Sequence, residues 1–60
     1  MNDLGKRISS QRRKQGWTQA ELGTRLNVTA QAVSKWENNI SEPDVQTLLN
    51  MASLFGVTLD

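Results

Sequence analysis

The fold turns on "WTQAELGTRLNVTAQAVSKWENN", Trp17 to Asn39. Its first half reads as a short helix. Thr18 is a good N-cap, and Glu21, three residues on, completes a capping box. Trp17, just ahead of the cap, is placed to act as a hydrophobic staple. Leu22 and Leu26 recur at helical spacing and form the inner stripe. Gly23 sits beside them in mid-helix, where glycine costs up to about 1 kcal/mol relative to alanine. Close approach of another helix would offset that cost. Asn27 suits a left-handed C-cap, and Thr29 suits the N-cap of a further helix. Two short helices separated by about three residues have helix-turn-helix spacing.

The second of these helices has two faces. With Ala30 as zero and 100° per residue, Thr29, Ala32, Val33 and Trp36 fall between roughly 200° and 300°. Ala30, Gln31, Ser34 and Lys35 fall between 0° and about 140°. The first arc is apolar apart from the capping threonine. Trp36 shares it with Val33 and so reads as core rather than as a platform for base stacking. The second arc is small or polar, and its chemistry matches the major groove of DNA. Glutamine bonds adenine bidentately, lysine reaches guanine O6 and N7, and alanine packs on a thymine methyl. The competing reading is an ordinary solvated helix face.

Two more helices flank this unit. In "DLGKRISSQRRKQG", Asp3 is placed to cap and Gly16 to terminate. Leu4, Ile8, Gln11, Arg12 and Gln15 share one face. Arg12 is the anomaly among them. It lies only about 40° from Ile8, and an arginine beside an apolar stripe calls for a carboxylate partner. In "SEPDVQTLLNMASLFG", Pro43 is expected in the first helical turn and Asp44 at the positive end of the dipole. Val45, Leu48, Leu49, Ala52 and Phe55 are expected to face the core, with Met51 on the border and Leu54 nearly opposite. Gly56 suits the C′ position. Apolar/polar alternation is rare, so strands are not expected. The fold class is all-α: four short helices in one domain, residues 1–60.

Composition narrows the function. The 60 residues hold no cysteine and no histidine, so the commonest general base and metal ligands are missing. The carboxylates have no metal-ligand spacing. An enzyme is not expected, nor any cofactor or metal. The N-terminus has no apolar signal region and no segment approaches the length of a membrane span, so the expected compartment is the cytoplasm, with no membrane partner. Net charge is only +1, but it is unevenly spread. Residues 1–40 carry all seven Lys and Arg against Asp3, Glu21 and Glu37. Residues 41–60 carry Glu42, Asp44 and Asp60 and no base. A basic face toward a polyanion, with the acidic end turned away, fits that distribution as well as chance asymmetry does.

From Ile8 to Leu59 the chain resembles the phage-repressor (lambda-repressor-like, Xre-type) helix-turn-helix family. The resemblance is carried by "TQ" opening the second helix and by Leu22, Gly23 and Leu26. It is carried further by a turn residue at Asn27, an aliphatic Val33, and "WE" followed by a polar loop. The family is one of the standard examples of helix-turn-helix docking on DNA. It usually has alanine at Gly23 and often glycine at Asn27 and Asn39. It normally adds a fifth helix after "GVTLD", which Thr58 or Asp60 would cap, so the expected fold is a truncated five-helix domain. That helix often contributes to the dimer interface.

The resemblance implies a role for each residue. Thr18 and Gln19 would meet phosphate at the start of the second helix, with Gln19 also supporting the recognition helix. Thr29 would touch the backbone, and Asn38 would donate to phosphate. Ala30, Gln31, Ser34 and Lys35 would face base edges. Arg12 would pair with Glu37. Gly23 would let the third helix cross closely over the second. The function so implied is sequence-specific binding of double-stranded DNA by a bacterial or phage transcriptional regulator. It would act as a homodimer on a (pseudo)palindromic operator, with the recognition helix at about residues 29–37. Two competitors stand beside it. One is an antitoxin that also neutralises a toxin. The other is a protein-interaction module that keeps the fold without DNA binding.

Overall fold

The computed structural model describes residues 3–56. The order is α1 (Leu4–Lys14), α2 (Gln19–Leu26), α3 (Ala30–Glu37) and α4 (Val45–Phe55). The described residues contain no strand. The fold class read from the pattern is therefore the one observed. The expected caps of a fifth helix, Thr58 and Asp60, lie outside the described residues.

The cap chemistry is largely as read. Thr18 Oγ1 accepts from the Glu21 N–H at 3.0 Å, and Glu21 Oε1 accepts from the Thr18 N–H at 2.8 Å. Thr29 Oγ1 accepts from the Ala32 N–H at 3.1 Å. Asn27 is left-handed, with φ 62°, as a C-cap that ends α2 must be. Asn39 is left-handed too, with φ 58°, and turns the chain out of α3. The two asparagines thus occupy the positions where glycine would be least strained.

Two caps differ from expectation. Asp3 stands at the N-cap of α1 but makes no side-chain capping bond. Its backbone φ and ψ of −98° and 12° are not the extended values that aim a capping side chain at the first turn. Pro43 is buried and lies outside α4. Asp44 is the N-cap itself, accepting from the Thr47 N–H at 2.8 Å.

The core is formed by Ile8, Leu22, Leu26, Val33, Trp36, Met51 and Phe55. Leu4, Trp17, Val28, Ala32, Leu48 and Leu54 pack around it. Here α4 corrects the sequence reading. Val45 and Leu49 are exposed, at 73% and 60%, while Met51 is fully buried and Leu54 packs on the core. Seven of the eleven α4 residues are apolar and they cover more than half of the helix circumference, opposite a polar strip of Gln46, Asn50 and Ser53, so periodicity alone does not fix which part of that broad face is inward. The shared space decides instead. Phe55 stacks on Trp17 at 6.1 Å between ring centroids, which turns the Met51–Phe55 side inward. Trp17 is also covered by the Arg25 guanidinium, 4.2 Å from its ring centroid.

Two glycines hold helices close. A Cβ on Gly23 would lie 2.7 Å from the Val28 carbonyl oxygen. The close approach expected there is real, but it is made by the turn into α3 rather than by a crossing helix. A Cβ on Gly5 would lie 2.7 Å from the carbonyl oxygens of both Trp36 and Glu37, where α1 meets the end of α3. The sequence reading passed over Gly5. Gly5→Ala is therefore expected to destabilise the domain. Overpacking costs about 1–3 kcal/mol, and alanine's helix preference offsets up to about 1 of that. A urea titration should show a net loss of about 1 kcal/mol. Gly5→Ala as stable as the parent would mean that α1 is free to move away from α3.

Candidate nucleic-acid interface

The α2–turn–α3 unit is held by one ionic network. Arg12 on α1 donates through Nε to Glu37 Oε2 at 2.7 Å and through Nη2 to Glu37 Oε1 at 3.1 Å. Its Nη1 donates to the Trp17 carbonyl at 2.8 Å. Gln19 Nε2 donates to the same Glu37 Oε1 at 3.1 Å. The Arg12 and Glu37 side chains are 11% and 7% exposed, so the fork-to-fork pair sits largely out of water. Three helices thus meet at Glu37, the last residue of α3, and Arg12 ties the turn before α2 to the same network.

The electrostatics follow. Burial pushes the Glu37 carboxyl up. The hydrogen bonds from Arg12 and Gln19, with the charges of Arg12 and Arg13, outweigh that and hold it below its ordinary value. Arg12 is driven further toward its charged form by the bond to Glu37, against the opposing effect of burial. The anomaly of an arginine beside Ile8 is resolved by this carboxylate.

The outer arc of α3 is presented as the periodicity predicts. Ala30, Gln31 and Lys35 are exposed, Ser34 is half-buried, and Val33 and Trp36 are buried behind them. Short residues at positions 30 and 34 leave the helix backbone approachable between the two longer side chains. Thr29, exposed, stands at the N-terminal end of this arc. Thr18 is exposed and Gln19 half-buried at the start of α2. The capping box takes up the Thr18 and Glu21 N–H groups. Those of Gln19 and Ala20 stay available in the first turn, where the helix dipole favours an anion.

Gln19 and Asn38 are less free than their expected roles suggest. Gln19 has one amide proton committed to Glu37 and keeps the other, together with its oxygen. Asn38 Nδ2 donates to the Ser34 carbonyl at 2.8 Å and approaches Ser34 Oγ at 3.4 Å, closing the end of α3. A phosphate bond from Asn38 would share or displace that closure.

Known proteins match this geometry. A helix-turn-helix family model matches residues 8–60. The chain is 39% identical over 57 residues to the HTH-type transcriptional regulator ImmR of Bacillus subtilis, covering 95% of this chain and 45% of ImmR. It is 32% identical over 57 residues to the SPbeta prophage-derived uncharacterized HTH-type transcriptional regulator YonR of the same organism, covering 95% of this chain and 53% of YonR. The chain thus spans about half the length of these two relatives. The P22 c2 repressor, solved in complex with synthetic operator 9T, superposes with a TM-score of 0.90 at 32% identity. That match covers 100% of this chain and 91% of the repressor chain. With its two central helices spaced, capped and braced as described, the chain belongs to the phage-repressor-like, Xre-type helix-turn-helix family.

Proposed function

We propose that the protein binds double-stranded DNA sequence-specifically as a bacterial or phage transcriptional regulator, with α3 in the major groove. The carrying observation is the outer face of α3, with Ala30, Gln31 and Lys35 exposed and Ser34 half-buried, held against the α2 N-terminus by the Arg12–Glu37–Gln19 network. Gln31, Lys35, Ala30 and Ser34 read base edges. Thr18, Gln19, Thr29 and Asn38 hold phosphates. The operator-bound P22 c2 repressor supports this assignment, because it shares the fold across all of this chain.

The same reading makes the protein a cytoplasmic homodimer on a (pseudo)palindromic operator, acting by occupying DNA and not by catalysis. Exposed Val45 and Leu49, one turn apart, offer apolar surface to a second copy. The outer arc of α3 lacks the aromatic and aliphatic anchors that a protein-binding face is usually built on. That disfavours the interaction-module alternative.

The test is selection of binding sites from a random duplex pool, followed by binding of the recovered motif across salt. A motif should be enriched, and two inverted half-sites about one helical turn apart would report the dimer. Affinity should fall steeply with salt, with a slope of about −0.9 in log K against log salt for each neutralised phosphate. No enrichment, or affinity indifferent to salt, would refute DNA binding.

A further inference from the structure

On the outer side of α1 lies an open groove lined by Lys6, Ser9, Ser10, Arg13 and Lys14, with Glu37 at its edge. We propose that this groove is a second phosphate-holding surface, which grips the DNA backbone beyond the contacts made by α2 and α3. The proposal rests on the DNA-binding reading above and extends its footprint to α1.

The chemistry of the groove selects a polyanion. Its residues lie between about 100° and 240° from Ile8, on the face of α1 turned away from the core. Lys6, Arg13 and Lys14 are exposed, and none makes an ion pair within 4.0 Å among the described residues. Ser9 and Ser10 place two hydroxyl donors between the cations. Glu37 offsets them little: both of its oxygens are bonded by Arg12 and Gln19, and of the three groove cations only Arg13 acts on its charge, as the smallest of the influences on it. Its residual negative charge is balanced by Arg12 inside the fold.

Position and length favour a nucleic-acid strand over an acidic protein segment. Glu37 is shared with Gln19, so the groove adjoins the α2 N-terminus, where the first phosphate contact is placed. A strand passing Gln19 would run on past the Arg13 end of the groove. Lys6 and Arg13 are seven residues apart on one helix, roughly 10 Å along its axis. That equals the rise of about three base-pair steps along the duplex axis, at about 3.4 Å each, so the groove is long enough to meet more than one phosphate of a strand. No large apolar side chain lines the groove to anchor a protein partner.

The experiment measures the salt dependence of binding to the motif selected by the parent chain. The variants are the triple change Lys6→Gln, Arg13→Gln, Lys14→Gln and, as a control, Arg25→Gln on the Trp17 side of α2. The triple variant should keep the parental motif and lose about 2 to 3 units of slope, while Arg25→Gln loses far less than one unit. Thermal melting of each variant confirms the fold, since exposed polar replacements rarely shift stability. A slope loss per removed charge equal to that of Arg25→Gln would overturn the proposal, because net charge alone would then account for it. An unchanged slope would overturn it as well and leave the groove to a small anion or to no ligand. If the parent binds no duplex at all, the DNA-binding reading falls and the groove proposal with it. If the parent binds and only the groove variant is silent, the groove proposal alone falls.

Discussion

Arg12→Ala is expected to remove about 3 kcal/mol of folding stability, because it leaves Glu37 charged and largely buried, without its countercharge and with only the Gln19 hydrogen bond of its three. A chain of this size has only about 3–9 kcal/mol in total. The melting temperature should fall by roughly 12–24 °C, and the variant will stand near its folding limit. Arg12→Lys should fall between parent and Arg12→Ala, since an ammonium cannot reproduce the fork of Nε and Nη2 on the two Glu37 oxygens. Lys35→Ala, by contrast, removes an exposed side chain from the outer arc and should change stability by no more than about 0.5 kcal/mol. Thermal melts of the three variants decide the matter. Equal losses for Arg12→Ala and Lys35→Ala would mean that the Glu37 network does not brace the fold.

The same pair sets an acid limit. The Glu37 carboxyl is held below its ordinary value in the fold, so the folded state binds its proton less readily than the unfolded chain does. Its contribution is complete above the ordinary glutamate range, near about pH 4.3, and is lost as pH falls through the lowered folded value. Glu37→Gln should flatten that acid-side decline in a stability–pH profile. An unchanged profile would place the acid sensitivity elsewhere.

Gln31→Ala and Lys35→Ala are expected to change which sequence is preferred, at the price of about 1–3 kcal/mol for each lost base contact. The two side chains stand one helical turn apart on the exposed arc of α3 and so address neighbouring base pairs in one groove. Gln19→Ala and Asn38→Ala should instead weaken all sequences about equally and return the parental motif. Both carry a structural cost as well, because Gln19 donates to Glu37 and Asn38 closes the end of α3. Binding-site selection on the four variants separates these classes. The parental motif recovered from both Gln31→Ala and Lys35→Ala would mean that the outer arc does not read bases.

The chain order of elements was legible because it rests on local chemistry. Thr18 with Glu21, Thr29, Asn27 and Gly56, which is left-handed with φ 69° and ends α4, each act through backbone groups within a few residues, and residue type and position were enough to read them. The inner arc of α3 was legible for a related reason. Val33 and Trp36 are its only large apolar residues, so the helix has one way to hide them. The resemblance supplied the Arg12–Glu37 pairing. From the residues alone, the position of Arg12 beside Ile8 said only that some carboxylate was needed.

Gly5 carried a signal of the same kind as Gly23, a glycine inside a helix, but its cause lies at Trp36 and Glu37, more than thirty residues away. The innermost part of α4 was likewise beyond local reading, because apolar residues cover more than half of that helix and Trp17 and Phe55 must first find each other. The caps of α2 and α3 and the face of α3 that stays outside followed from the residues alone, since turns, caps and a single apolar stripe are short-range matters; the entry into α1 at Asp3 and the place of Pro43 ahead of α4 did not. Three features came from packing between helices: the buried part of α4, the sharing of the Glu37 carboxylate by Gln19 and Arg12, and the place of Lys6, Arg13 and Lys14 beside Glu37. Those are long-range packing choices, set by which surfaces compete for the same small core.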